Sequence, residues 1–217
     1  MPILPLFPSI SSEQWSAFGT GLTAWATVAL AIAAFFGLRQ WRTQLTGTSK
    51  YEIARRLALL GLQFRDECIR ARSPGTFRYE YIDRPKDENE SSEETRKNDE
   101  YYARRKRLVP LAETLNKMKT TSWEAEIILG NDVKRLVTPF EDILGELNLA
   151  IDKHFHYQQE YADMNFGKDL PDISEEEIRK RQKLWRTVYS SSKDDELNQE
   201  LDEVTESLKQ YLQTFIK

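Results

Sequence analysis

The sequence has few of the residues from which catalytic and metal sites are usually built. Among 217 residues it has one cysteine, Cys68, and two histidines, His154 and His156. A single cysteine excludes an internal disulfide and a cysteine cluster for a metal ion. The histidines lie in a segment of helical periodicity, where a spacing of two turns their rings toward different faces. Phosphate loops, His-Glu-x-x-His and Cys-x-x-Cys motifs are also absent, so we expect no enzyme, no cofactor and no bound metal.

Glycine, proline and strand patterns are sparse as well. The chain has 9 glycines and 8 prolines, and no long stretch alternates apolar with polar residues. Leu, Glu, Lys, Arg and Ala dominate, which is typical of helical proteins. The net charge of -4 argues against a nucleic-acid partner. Four consecutive basic residues at 104–107 suggest contact with phosphate or lipid, and the competing interpretation is a solvated face that the acidic stretch at 83–100 neutralises.

Charge is missing altogether from residues 14–38. The apolar part, Trp15 to Leu38, would be about 36 Å long as a helix, against about 30 Å of bilayer hydrocarbon. Trp15 and Trp41 bracket it as interfacial anchors. A cleaved signal peptide would begin with basic residues, but the first 38 residues contain no Lys or Arg. The remaining alternative is a buried helix of a soluble protein, which rarely runs this long without a charge, so we predict an uncleaved transmembrane helix at 15–38.

Basic residues follow the apolar segment, whereas only Glu13 is charged before it. By the positive-inside rule, residues 1–14 form a short extracytoplasmic N-terminus and residues 39–217 form a cytoplasmic domain. Basic side chains close to the span can also bind membrane lipid through anionic headgroups, each contact contributing about 1 kcal/mol. The membrane-proximal basic residues are Arg39, Arg42, Lys50, Arg55 and Arg56.

Small residues recur at every fourth position within the span, at Ala29, Ala33 and Gly37. They share one helix face, and this spacing lets two transmembrane helices approach closely. The pattern favours self-association of the span into a homo-oligomer. The other interpretation is an alanine-rich span without pairing, and the sequence alone leaves both open.

Apolar residues at spacings of three and four continue through the rest of the chain. We therefore predict an all-α fold, with one N-terminal transmembrane helix followed by a cytoplasmic bundle of four or five helices. Pro110 should kink its helix or mark its first turn. Ser73-Pro74-Gly75 and Gly130-Asn131 are predicted to end helices. A capping box at Thr138 to Glu141, with Pro139 at the first helical position, is predicted to begin another helix, and residues 165–171 are predicted to be a linker. A second capping box at Ser174 and Glu177 is predicted to begin a helix that buries Ile178, Trp185 and Val188.

Acidic groups are favoured at the positive, N-terminal end of the helix dipole. We therefore predict that the last helix begins at Asp194, Asp195 and Glu196. Its apolar residues then alternate at spacings of four and three over about three heptads, as in a coiled coil. This heptad seam either packs within the bundle or pairs with a second copy, and three repeats are too few to decide. The seam consists of Leu197, Leu201, Val204, Leu208, Tyr211 and Phe215.

Two short segments carry a resemblance to known proteins. They are Thr48-Ser49-Lys50-Tyr51-Glu52-Ile53-Ala54-Arg55-Arg56-Leu57 and Lys193-Asp194-Asp195-Glu196-Leu197. Together with the preceding span, they resemble a loose family of bacterial single-span membrane proteins with helical cytoplasmic domains. Some of these look like membrane effectors of antiphage systems, including retron-associated ones. The resemblance implies a bacterial inner-membrane location and no catalytic residues.

These patterns favour a non-enzymatic, membrane-anchored protein whose cytoplasmic domain binds a protein partner. One hypothesis is an effector of a bacterial antiphage or toxin system, whose span disturbs the inner membrane by self-association. The alternative is a scaffold whose inert span holds the domain at the membrane, where it recruits a soluble partner.

Overall fold

The computed structural model describes residues 12–164, 174–190 and 195–216, and all regular structure in these ranges is α-helical. The prediction of an all-α protein is therefore confirmed. The predicted linker at 165–171, together with Lys193 and Asp194, lies outside these ranges. The helices are α1 (Ser12–Ala71), α2 (Arg78–Tyr81), α3 (Ser92–Leu129), α4 (Asp132–Met164), α5 (Glu175–Val188) and α6 (Glu196–Ile216).

The chain divides into two units, Met1–Ser49 and Lys50–Lys217. The predicted span and the helix after it belong to one 60-residue helix, α1, which contributes to both units. In the second unit, α1 contributes its C-terminal part, and α3 to α6 complete a bundle of five helices with the four-residue α2 at its edge.

Several helix ends follow the predicted local signals. α1 ends at Ala71, just before Ser73-Pro74-Gly75, and α3 ends at Leu129. Gly130 follows with φ 110°, a left-handed conformation that glycine adopts without steric cost. Ser174 caps α5 by accepting the backbone N–H of Glu177 at 3.3 Å. Only the second half of the acidic stretch at 83–100 is helical, because α3 begins at Ser92.

Two prolines of the described residues lie inside helices. Pro110 lies well inside α3, so it does not mark the first turn of that helix, and the kink expected as the alternative stays a prediction. The predicted start at Thr138-Pro139 is wrong, because α4 begins at Asp132 and continues through Pro139. The hydroxyl of Thr138 donates to the carbonyl of Lys134 at 3.1 Å, as in a helix interior. The turn before the proline buries Val133 and Val137, and we infer that this burial offsets the missing hydrogen bond at Pro139.

The hydrophobic core of the second unit is formed by facing stripes of α1, α3, α4 and α6. Phe64 of α1 meets Phe140 of α4 edge-on, with ring centroids 5.2 Å apart. α1 and α6 approach closely at Gly61, where an added Cβ would lie 3.0 Å from Cδ2 of Leu208. The fully buried members include Leu57, Phe64, Leu111, Met118, Phe140, Leu147, Leu201 and Leu208.

α5 is rotated relative to the predicted orientation. Val188 is buried as expected, but Ile178 and Trp185 are 42% and 45% exposed. The face that meets the core instead carries Leu184, Thr187 and Val188. The expectation that Ile178 and Trp185 lie inside is therefore wrong, since apolar character alone does not distinguish the centre of a helix face from its border.

Replacing Phe140 by alanine should lower the free energy of unfolding by about 3–5 kcal/mol, because it removes a fully buried ring and leaves a cavity against Phe64. Leu149→Ala on the same helix is the matched control, since Leu149 is 53% exposed. Its change should stay within about 0.5 kcal/mol. Urea unfolding of the full chain in detergent micelles, followed by circular dichroism, measures both, and equal losses would contradict this core.

Candidate functional site: an exposed apolar helix and a buried arginine network

One helix in the described part of the chain, α1, is long and apolar enough to cross a membrane, and none of its most apolar window is buried. This exposure does not fit the alternative of a buried soluble helix. The hydroxyls along it are satisfied within the helix, since Thr23 donates to the carbonyl of Gly19 and Thr27 to that of Thr23, each at 2.8 Å. Such internal pairing is what a hydrocarbon surrounding requires of polar groups. The large exposed side chains are Trp15, Phe18, Leu22, Trp25, Val28, Leu30, Ile32, Phe35, Phe36, Leu38, Trp41 and Leu45.

The predicted small-residue face and interfacial anchors all lie on this exposed surface. Ala29, Ala33 and Gly37 are exposed, and a Cβ added at Gly37 would meet nothing within 4 Å. Trp15 and Trp41 are 61% and 64% exposed. Their separation along the helix is about 39 Å, close to the distance between the two interfaces of a bilayer.

The membrane-proximal basic residues are mostly exposed. Arg39, Arg42, Arg55 and Arg56 have exposed side chains, and Lys50 is half-buried. Arg56 forms an ion pair of 3.4 Å with Glu124 of α3, but both side chains are more than half exposed. Such a surface pair contributes little to stability, so these cations remain accessible to anionic groups.

The predicted heptad seam packs into the core of the second unit. Leu197, Leu201 and Leu208 are buried. Val204, Tyr211 and Phe215 pack against the same core and are half-buried. Of the two interpretations left open by the sequence, packing within the bundle accounts for this face of α6.

Two arginines of the basic run bind the turn that follows α1. Arg104 is fully buried, and its guanidinium donates to the carbonyls of Ala71 at 3.3 Å, Pro74 at 2.7 Å and Ser73. Arg107 donates to the carbonyl of Ser73 at 2.8 Å. Carbonyls at a helix end lack partners within the helix. Arg104 supplies a donor for the carbonyl of Ala71, the last residue of α1, and both arginines bind the carbonyl of Ser73 in the turn. Burial lowers the pKa of Arg104, whose Nε has no hydrogen-bond partner among the described residues.

The other two residues of the run also have partners within the bundle. Lys106 pairs with Asp83 at 2.8 Å. Arg105 lies 3.5 Å from Asp152 and donates to the side-chain oxygen of Asn148. The basic run therefore serves internal contacts, which explains it without phosphate.

Arg72, directly after α1, is the centre of a buried cluster that joins three helices. Its guanidinium donates to the carbonyls of Arg186 at 2.7 Å and Thr187 at 2.8 Å, at the end of α5. It also pairs with Asp195 at 2.6 Å and donates to the side-chain oxygen of Asn198 at 2.6 Å, at the start of α6. The Arg72 and Asp195 side chains are 0% and 3% exposed. The two charges therefore compensate each other inside the protein.

Sequence reasoning assigned Asp195 to the helix dipole and gave Arg72 no role. Asp195 does cap α6, since it accepts the backbone N–H of Asn198 at 3.2 Å. Its pairing with Arg72 was missed. One signal was present: Arg72 lies four residues after Cys68 and so continues the apolar stripe of α1 with a charged residue. A charge at such a position indicates a buried partner.

A second polar cluster surrounds Tyr189, just after α5. The guanidinium of Arg104 lies 4.5 Å from the centre of its ring, and its hydroxyl donates to Glu100 at 2.8 Å. Nε2 of His154 lies 3.4 Å from the same hydroxyl and 2.9 Å from the side-chain nitrogen of Gln158. Burial raises the pKa of Tyr189 and lowers that of His154, so both are neutral near pH 7.

These buried groups have the character of structural pairs. Burial raises the pKa of the Cys68 thiol to about 11, so it stays protonated near neutral pH and is a poor nucleophile. Across residues 12–164, 174–190 and 195–216, no group of three His, Cys, Asp or Glu side chains is placed to hold a metal ion. The polar groups in the interior thus join helices of the bundle.

Removing the charge of Arg72 should destabilise the protein strongly. Arg72→Leu leaves Asp195 buried without its partner and should cost about 3–5 kcal/mol in urea unfolding of the full chain in micelles. The double variant Arg72→Leu/Asp195→Leu should recover much of that loss, because no lone charge remains. Arg56→Leu is the surface control and should cost no more than about 1 kcal/mol. Equal costs for Arg72 and Arg56 would contradict the buried pair.

Comparisons with protein-family models, curated proteins and solved structures found no match for this chain. The resemblance to bacterial single-span proteins therefore stays a prediction.

Proposed function

We propose that this protein is a non-enzymatic, single-span membrane protein whose helical domain binds a protein partner at the cytoplasmic face of a bacterial inner membrane. The observation that supports the proposal is the stretch from Trp15 to Leu38, which is uncharged and whose large apolar side chains are exposed along α1. So large an apolar surface needs a covering, and a bilayer covers a helix of this length from end to end.

The distribution of charge supports the orientation. Residues 1–38 carry no basic side chain, while Arg39, Arg42, Lys50, Arg55 and Arg56 follow the span. The positive-inside rule then places residues 1–14 outside and residues 39–217 in the cytoplasm. The exposed arginines among them are suited to anionic headgroups.

The internal pairing of the polar side chains supports binding rather than catalysis. Arg72, Arg104, Tyr189 and His154 pair with neighbouring helices, and Cys68 holds its proton. The four paired side chains are committed to contacts within the bundle, which leaves the surface of the domain for a partner.

The small-residue face favours a second candidate, an antiphage or toxin effector that acts through the span. Ala29, Ala33 and Gly37 are exposed on one face, as a helix–helix contact within a bilayer requires. A scaffold would use the span only as an anchor. Replacing residues 15–38 by an unrelated transmembrane helix distinguishes the two, since a scaffold should keep its activity and an effector should lose it.

The orientation is tested with a membrane-impermeant maleimide on bacterial spheroplasts. Ser9→Cys should react in intact spheroplasts, whereas Lys117→Cys, at an exposed position of α3, should react only after permeabilisation. The wild type is the matched control, because its single thiol, Cys68, is buried and protonated. Labelling of Lys117→Cys without permeabilisation would contradict a cytoplasmic domain, and recovery of the protein in the soluble fraction would contradict the span.

Self-association of the span is tested by light scattering of the full chain in nanodiscs. Ala33→Leu adds bulk to the small-residue face and should weaken an oligomer by at least about tenfold, or about 1.4 kcal/mol. Ala31→Leu adds the same bulk on the opposite face and should leave the molar mass unchanged. A defined oligomer that only Ala33→Leu breaks favours the effector. A monomer, or an oligomer indifferent to both changes, favours the scaffold.

A further inference from the structure

The last residues of α5 and the two that follow it, residues 186–190, form a segment that we call the α5 end. No residue of Glu175–Arg186 is buried, whereas Thr187, Val188 and Tyr189 are buried. Only Val188 and Tyr189 join the buried core from residues 174–190, and Leu184 packs against it. The attachment of α5 to the bundle therefore depends largely on the α5 end.

Polar groups that keep one charge state fix one side of the α5 end. Arg72 donates to the carbonyls of Arg186 and Thr187. The backbone N–H of Ser190 donates to the carbonyl of Arg72 at 2.9 Å, and the side chain of Asn198 donates to the hydroxyl of Ser190 at 3.0 Å. Guanidinium, amide and hydroxyl groups do not change their charge between about pH 5 and 8. These contacts are therefore equally available across that range.

A histidine lies against the other side of the α5 end. The rings of His154, on α4, and Tyr189 meet edge-on, with centroids 5.4 Å apart and an interplanar angle of 80°. Nε2 of His154 lies 3.4 Å from the Tyr189 hydroxyl and 2.9 Å from the side-chain nitrogen of Gln158. Because an amide nitrogen can only donate, Nε2 accepts this hydrogen bond in the neutral ring. A proton on Nε2 removes the bond.

The charges that face His154 balance without a proton on its ring. α3 contributes the carboxylate of Glu100 and the guanidinium of Arg104, which act on His154 with opposite signs. The α5 end contributes the neutral phenol of Tyr189, whose hydroxyl donates to Glu100 at 2.8 Å, and α4 contributes the neutral amide of Gln158. Protonation of His154 would leave two cations and one anion in a half-buried site. Burial therefore lowers the pKa of His154 below its ordinary value of 6.5.

Opening of the α5 end changes the cost of this proton. When Tyr189 leaves, the ring of His154 faces water, and its pKa returns toward 6.5. Below about pH 6.5 the opened state then binds more protons than the closed state, so opening becomes more favourable as the pH falls. Above about pH 7.5 His154 is neutral in both states, and the equilibrium no longer depends on it.

We propose that His154 and Tyr189 form an acid-sensitive latch, which holds the α5 end in the bundle near neutral pH and releases residues 186–190 when His154 binds a proton. The helices α1, α3, α4 and α6 stay packed, because they supply nearly all of the core among the described residues. Release exposes Val188 and Tyr189, so the pH decides which surface the bundle presents. The proposal concerns the bundle alone and does not depend on the proposed function.

The test is hydrogen exchange with mass spectrometry on the full chain in nanodiscs, at about pH 7.5 and about pH 5.5. The rates are corrected for the intrinsic effect of pH on amide exchange. The amide of Ser190 reports opening directly, because its partner is the carbonyl of Arg72. A single group with a pKa of 6.5 in the opened state raises the opening constant by at most about tenfold between these pH values.

We expect the opening constant at Ser190 to rise by about threefold to tenfold on acidification. The internal reference is the part of α4 at residues 143–151, which contains Ile143, Leu147 and Ile151 of the core. Its protection should change less than about twofold, because only the α5 end is released.

Two variants distinguish His154 from the other histidine of the chain. His154→Gln places a polar side chain that does not titrate beside Tyr189, so the rise at Ser190 should fall below about twofold. His156→Gln is the matched control, because it removes a histidine at an exposed position of the same helix. It should keep the rise of the wild type.

Several outcomes would overturn the latch. These are no rise at Ser190 in the wild type, an equal rise in His154→Gln, loss of the rise in His156→Gln, and an equal rise in the reference part of α4. The wild type alone supplies the first and the last, so the proposal can fail even where His154→Gln does not fold. No partner is present in the measurement, so the latch and the proposed function can fail separately.

Discussion

The hydrogen bonds of Arg72 hold the bundle together where apolar contact is least. In its described part, α5 buries only Thr187 and Val188, which is little for a helix of 14 residues. Its end is joined to α1 through the Arg72 guanidinium, and the same group reaches Asp195 at the start of α6. The buried residues Leu197, Leu201 and Leu208 of α6 then pack into the hydrophobic core. Because these charges are shielded from water, removing one of them alone leaves the other buried without a partner.

The two units of the chain follow opposite rules for the placement of apolar groups. In Lys50–Lys217 the apolar side chains face one another, and charged groups inside are paired. In the described part of Met1–Ser49 the apolar side chains face outward, and threonine hydroxyls bond to the helix backbone. Each rule is the favourable one in a different solvent, water in the first case and hydrocarbon in the second.

Features set by local chemistry were predictable, and features set by distant contacts were not. Gly130 ends α3 because of its own backbone freedom, and the sequence was enough to locate that end. Pro139 also carries a local signal, but burial of the preceding turn outweighs it. The inward face of α5 depends on where α4 and the core lie. The Arg72–Asp195 pair joins residues 123 positions apart, and no local rule connects them.

The ion pairs of the α1–α3 loop constrain how its sequence can change during evolution. Loss of Glu80 alone leaves Arg107 without its carboxylate partner, so the effects of substitutions at the two positions on stability are coupled. The same coupling links Arg84 to Glu90 and Asp99. Phe77, Tyr79 and Ile82 carry no such ion pair, and their side chains lie outside the hydrophobic core. Replacing them by polar residues should therefore leave the free energy of unfolding nearly unchanged.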